Sequence, residues 1–306
     1  MKASHQNFKT INSVSEYHAL LQLDKPEHPL MSIVNFSKVK YTNPGPEITL
    51  VMNLYCITIK QGADCVLRYG PLHYDFNEGV MLFIKPGQVI SVQHTSENAK
   101  EGYMLLIHPD FLGSFPLGLK IKRYGYFEYA IHEALFLSDR EKIHMNTIMA
   151  GIEIEYHTNI DMFSQEAIVT FTELLLVYAN RYFNRQFITR KSKNEQLLMQ
   201  VEKLLDDYYT AGQVIKNGLP TVQYLGEKLN LSPNYLSDML RVTTGKSAQS
   251  HIQHKILEEA KLLLSTSKLS VSEIAYQLGF ERPQSLSKLF KAKVAISPLE
   301  YRASFN

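Results

Sequence analysis

No stretch of this 306-residue chain approaches the roughly 18 uninterrupted apolar residues that a membrane span requires. The polar start MKASHQNFKT leads into no apolar signal core, so the expectation is a cytoplasmic protein without a membrane partner. Cysteine is nearly absent, with only Cys56 and Cys65, nine positions apart around a bend at Gln61-Gly62. The two could face each other across a hairpin. One possible pair is little reason to posit an oxidising compartment, however, and buried free thiols are the better reading. A strong charge of one sign is also missing, the formal net charge being +2.

That small total hides an uneven distribution. Residues 1–189 hold 16 Lys and Arg against 19 Asp and Glu, a balance of −3, while residues 190–306 hold 16 against 11, a balance of +5. The basic third is where an anionic partner would dock. With 45% hydrophobic and 20% charged residues the chain is core-forming, and its length suits two domains.

The texture divides in the same way. From about Met31 to Ile107 short β-rich runs (MSIVNFSKV, NLYCITI, CVLRY, VMLFI, VISVQ, YMLLI) alternate with breaks at Asn43-Pro44-Gly45-Pro46, Gln61-Gly62, Asn77-Glu78-Gly79 and Lys85-Pro86-Gly87. This spacing predicts a barrel or sandwich. Beyond Asp139 two amphipathic helices follow, joined at Thr158-Asn159-Ile160-Asp161. The second carries a stripe of Ile168, Phe171, Leu174, Leu175, Tyr178 and Tyr182, which can pack on the barrel or on a second subunit. Residues 189–194 are polar, basic and without apolar periodicity, so the boundary is placed there, between domain 1–188 and domain 195–306. The second domain reads as about seven helices.

Within it one pattern is written twice, over 221–245 and 270–295. Val222, Leu225, Gly226, Leu229 and Leu231 match Val271, Ile274, Ala275, Leu278 and Phe280 at an offset of 49. Leu236, Leu240 and Ser247 match Leu286, Phe290 and Ser297 at an offset of 50. Each copy is a helix of about eight residues, a tight turn and a helix of about eleven. Gly226 or Ala275 lets the two helices cross closely, and Asn230 or Gly279 stands where a left-handed C-cap is wanted. Ser232-Pro233 starts the next helix, as Pro283 does in the second copy. This is helix-turn-helix grammar, in which the second helix enters the major groove of DNA. A joining helix of about 17 residues, roughly 25 Å, can set the two reading helices about one DNA turn, roughly 34 Å, apart.

With Ile274-Ala275, Gly279-Phe280, Phe290-Lys291 and Ser297-Pro298-Leu299-Glu300-Tyr301-Arg302, residues 195–304 resemble the AraC/XylS family of bacterial transcription regulators. The N-terminal part is similar, more loosely, to that family's cupin-like sensor domain, the run GYMLLIHPDFL included. The resemblance implies an α+β protein: an N-terminal cupin-like β-barrel with a helical hairpin, then an all-α domain with two helix-turn-helix units joined by a helix. It implies sequence-specific binding of promoter or operator DNA, RNA polymerase as a further partner, no enzymatic activity, and a small-molecule effector or dimerisation for the first domain. Against the family pattern, Ser285 or Leu286 replaces an aromatic, Ala295 replaces a glycine, and Asp238 stands where a basic residue is frequent.

Carried over position by position, the first reading helix offers Asn234, Ser237, Asp238 and Arg241, and the second offers Arg282, Gln284, Ser285 and Lys288. Asn and Gln suit adenine edges, Arg and Lys suit guanine, and Lys246, Lys291 and Lys293 are better placed on phosphates. Asp238 can accept from a cytosine amine or repel phosphate, so the first unit is expected to read fewer bases. Effector contacts are assigned to Tyr55, Arg68, Tyr69, His73 and Tyr74, and dimer contacts to helix 163–186. His73, Asp75, Glu78, His94 and Asn98 only partly match a metal-binding cupin, so no metal or cofactor is expected. Two competing readings are a metal-dependent cupin enzyme with a helical appendage and a non-specific architectural DNA-binding protein.

Overall fold

A computed structural model describes residues 8–38, 48–61, 79–92, 101–159 and 161–305. The chain divides into two compact units, Met1–Gln186 and Phe187–Asn306. The first is sheet-rich and the second is helical, so the fold is α+β.

In the first unit the described elements are β1 (Phe8–Ile11), α1 (Val14–Leu20), β2 (Met31–Asn35), β3 (Ile48–Met52), β4 (Tyr55–Gln61), β5 (Val80–Ile84), β6 (Gln88–Val92), β7 (Glu101–Ile107), α2 (Leu117–Lys120), β8 (Leu135–Phe136), α3 (Asp139–Tyr156) and α4 (Ser164–Thr189), the last running past the division at Gln186. They form a three-stranded sheet ordered β1-β3-β6 and a five-stranded sheet ordered β2-β7-β4-β5-β8. β1 runs parallel to β3, and every other pairing is antiparallel. Among the described residues neither sheet closes on itself, so the expected closed barrel is not seen; the arrangement is two sheets sharing one core. Leu50, Met52 and Ile90 from the smaller sheet meet Val34, Cys56, Leu82, Met104 and Leu106 from the larger.

The larger sheet is covered on its other face as well. Alternation along β4 sends Cys56 and Thr58 one way and Tyr55, Ile57 and Ile59 the other, yet all five are buried. Phe83 of β5 meets Tyr126 at 4.6 Å and Phe183 of α4 at 6.0 Å between ring centroids, so short helical turns and α4 form that second layer. Gln186 pins α4 to the sheet's edge, accepting from Phe136 N at 2.8 Å and donating to Ala134 O at 3.2 Å. Cys56 is a free thiol, as expected, and burial pushes its pKa up to about 11. Cys65 lies outside the described residues.

The stripe along α4 is only partly inward. Ile168, Leu175 and Tyr182 are buried together with Val169, Leu176, Ala179 and Phe183, whereas Leu174 faces solvent. The segment expected as a linker is helical: α4 ends at Thr189, and α5 (Lys191–Thr210) begins two residues on.

The second unit continues with α6 (Gln213–Asn217), α7 (Val222–Leu229), α8 (Pro233–Thr244), α9 (Ala248–Thr266), α10 (Val271–Gln277), α11 (Pro283–Val294) and α12 (Pro298–Ala303). α6 is additional to the seven expected helices. The centre is α9, whose Ile252, Ile256, Ala260 and Leu264 are buried at four-residue spacing. Its 19 residues span about 28 Å. Most helices start on a hydroxyl. Thr221, Ser232, Ser247, Ser270 and Ser297 each accept from a backbone N–H three residues on, and Glu273 and Glu300 complete capping boxes.

Candidate nucleic-acid interface

The two repeated units are built alike down to single hydrogen bonds. Leu231 N donates to Gly226 O at 2.8 Å, and Phe280 N donates to Ala275 O at 2.9 Å, closing each first helix in the same turn. Asn230 and Gly279 adopt left-handed conformations, φ +56° and +85°, which an asparagine and a glycine tolerate best. A Cβ on Gly226 would lie 2.6 Å from Leu231 O, so that position admits no side chain without a backbone shift. Ala275 is fully buried in the second unit.

Each second helix therefore leaves its turn in a fixed direction. In α8, Tyr235, Leu236, Met239 and Leu240 face inward, and in α11, Leu286 and Phe290 do. The outward rows carry the polar groups. Arg241, Lys246, Arg282, Gln284, Ser285, Lys288, Lys291 and Lys293 are exposed, while Asn234, Ser237 and Asp238 are half-buried. The structure thus brings Asn234, Ser237, Asp238 and Arg241 onto one side of α8 and Gln284, Lys288 and Lys291 onto one side of α11, whereas Arg282 precedes α11, Lys246 follows α8, and Ser285 and Lys293 stand off that row.

Two features depart from the expectation. Arg241 is not a free cation, because its Nη1 donates to Asp238 Oδ1 at 2.6 Å. The offset of 50 places Ser287, not Ser285, at the position of Ser237; Ser285 corresponds to Tyr235, which is buried against Phe187 at 5.1 Å between rings. Ser287 is half-buried, with its hydroxyl 3.5 Å from Pro283 O, and the repeat offset already present in the sequence would have found it.

The electrostatics of the two helices differ. α11 carries Lys288, Lys291 and Lys293 and no acid, with Arg282 as its N-cap residue, whereas α8 carries one acid and one base. Behind α8, Thr244 Oγ1 and His251 Nε2 are 3.0 Å apart, and burial, with Lys246 nearby, lowers the His251 pKa.

Arg302, the end of the motif, turns inward. Its Nε donates to Leu264 O at 3.2 Å and its Nη2 to Leu269 O at 2.6 Å, satisfying carbonyls at and beyond the end of α9.

In the first unit, Tyr55 is a core side chain, edge-on to Phe127 at 5.4 Å, and burial raises its pKa. Arg68, Tyr69, His73 and Tyr74 lie outside the described residues, as do Asp75, Glu78, His94 and Asn98. Among the described residues no three His, Cys, Asp or Glu side chains gather as a metal site, and no helix is long and apolar enough to cross a membrane.

Residues 225–304 match the family model described as "Helix-turn-helix domain". The chain is 30% identical over 119 residues to "Histidine kinase P4" of Formosa agariphila, which is 39% of this chain and 8% of that protein. It is 28% identical over 119 residues, 39% of this chain and 40% of the relative, to "Uncharacterized HTH-type transcriptional regulator YijO" of Escherichia coli. The solved C-terminal domain of the two-component response regulator yesN from Fusobacterium nucleatum is 36% identical, with 34% of this chain and 95% of that one covered and a TM-score of 0.30. The match thus spans well under half the length of either curated relative. The paired units with equivalent turns define a DNA-binding domain of the double helix-turn-helix class. The chain carries the AraC-type helix-turn-helix domain of transcriptional regulators.

Proposed function

We propose that the protein is a sequence-specific, DNA-binding transcription regulator of the cytoplasm, without enzymatic activity. The observation that carries this reading is the pair of equivalent turns, which give two second helices polar outer rows within one domain, the second of them basic. Base edges would be read by Asn234, Ser237, Asp238 and Arg241 in the first unit, and by Arg282, Gln284, Ser285 and Lys288 in the second. Lys246, Lys291 and Lys293 would hold phosphates.

The first unit is assigned a regulatory role, as a cupin-like domain that takes a small-molecule effector. This part rests on the sequence resemblance and on the presence of two sheets around one core. Self-association is assigned to residues 163–186, supported by the exposed apolar side chains of Leu174 and Val177 on α4 and of Phe163 just before it. RNA polymerase is the further partner that a regulator of this kind would engage.

The test is in vitro site selection with the full-length protein, followed by competition with random DNA at physiological salt. A discrete selected site, bound at least about a thousandfold more tightly than random sequence, is expected. Equal binding to all sequences would replace the reading with architectural DNA binding.

A further inference from the structure

We propose that Asp238 is a specificity-determining residue of the first unit, selecting a base that presents an amine in the major groove beside a guanine read by Arg241. The inference rests on the assignment of α8 to DNA reading and narrows it to one base step.

Asn234, Ser237, Asp238 and Arg241 fall at the second, fifth, sixth and ninth positions of α8, which is a single row by helical periodicity. Position for position, the second unit has Gln284, Ser287, Lys288 and Lys291. The row is therefore conserved in type at its start and inverted in charge at its sixth position. An acid in the middle of a surface that must approach phosphates is unfavourable unless it meets a donor.

The geometry shows how that acid is used. Asp238 and Arg241 form a pair at 2.6 Å one turn apart, and their side chains remain 30% and 58% exposed. A solvent-facing pair of this kind contributes little to stability, on the order of 0–1 kcal/mol. Its effect is on orientation, holding the guanidinium along the helix face. Arginine has five N–H donors and a carboxylate about four acceptor sites, so the mutual bond uses only part of either group. The guanidinium can present its remaining donors to O6 and N7 of guanine, while the carboxylate accepts from N4 of cytosine or N6 of adenine on the neighbouring pair. A thymine or guanine there would set its carbonyl oxygen against the carboxylate, which rejects it by repulsion. The second unit cannot make this selection, because Lys288 and Lys291 only donate.

Site selection is performed on the full-length wild type and on Asp238→Ala, Asp238→Asn and Arg241→Ala, with circular dichroism to confirm unchanged folding. In the wild-type site, one half should show guanine at one position and, at one fixed strand position of the neighbouring pair, cytosine or adenine to the exclusion of guanine and thymine. Asp238→Ala should lose discrimination at that neighbouring strand position by at least about fivefold. Its preference elsewhere should be unchanged. Asp238→Asn, whose amide both donates and accepts, should shift the preference there toward adenine, which it can meet at N6 and N7 together. Arg241→Ala should lose preference at the guanine instead. The proposal is overturned if Asp238→Ala selects the wild-type sequence, or if its loss falls on the pair that Arg241→Ala affects, which would make Asp238 a positioning residue only. Failure of the wild type to select any sequence would instead overturn the regulator assignment.

Discussion

The carbonyl oxygen of Leu231 stands 2.6 Å from the place a Cβ on Gly226 would occupy. The first helix-turn-helix unit is thus closed over a hydrogen atom, while its counterpart accommodates the methyl of Ala275. Gly226→Ala should destabilise the second compact unit by about 1–3 kcal/mol through overpacking against backbone. Urea unfolding of the full chain would report it as a lower midpoint at an unchanged slope.

Ala295 ends α11 at φ +69°, while Gly245 ends α8 at φ +75°. A left-handed alanine costs roughly 1–2 kcal/mol, of which glycine gives back part through its looser unfolded chain. Ala295→Gly should therefore stabilise the domain by about 0.5–1 kcal/mol and raise its melting temperature. Gly245→Ala should act in the opposite direction. Calorimetry on the two variants provides the comparison.

Arg302 belongs to the most recognisable sequence motif, yet it donates to Leu264 O and Leu269 O within the fold. Arg302→Ala should cost about 1–3 kcal/mol, the penalty for leaving partly buried carbonyls without their charged donor. The selected DNA sequence should stay the same. A change in base preference with unaltered stability would contradict this role.

On the DNA side, Lys288→Ala and Gln284→Ala should relax sequence preference. Lys291→Ala should weaken binding to all sequences and reduce the slope of log affinity against log salt by about one. Titrations at several salt concentrations, against selected and random duplexes, separate the two effects.

If α4 mediates self-association, Leu174 and Val177 lie in the contact, both being exposed on its apolar row. Leu174→Glu should shift the full-length protein from dimer to monomer in sedimentation velocity. Unchanged behaviour, or a monomeric wild type at micromolar concentration, would remove residues 163–186 from the assignment.

The second unit was legible because its signals are local. Ser232-Pro233, Asn230 and Gly279 act within a turn of themselves, and an offset of 49 or 50 aligns two copies without any tertiary information. α6 escaped because five residues between Gly212 and Gly218 show no period. In the first unit β1 and β3 went unread: Ile48–Met52 follows a proline-rich break, and its partners are Phe8–Ile11 and Gln88–Val92, far away in sequence. Whether Leu174 faces the sheet or a partner stayed open in the sequence, because α4 is apolar on most sides and periodicity alone could not orient it. Nor does sequence reveal that Arg241 binds Asp238, since spacing allows that pair without requiring it.

The register of the larger sheet also bears on biosynthesis. Met31 pairs with Ile107, so among the described residues β2 has no strand partner until the ribosome has added β7, and its apolar side chains must wait through all of that elongation. Such an unpaired strand is open to misassociation with other nascent chains. The helical unit, made after the sheets and from neighbours in sequence, can fold soon after it emerges. Overexpression at lowered temperature, or with holding chaperones, should therefore benefit residues 31–107 far more than the DNA-reading domain.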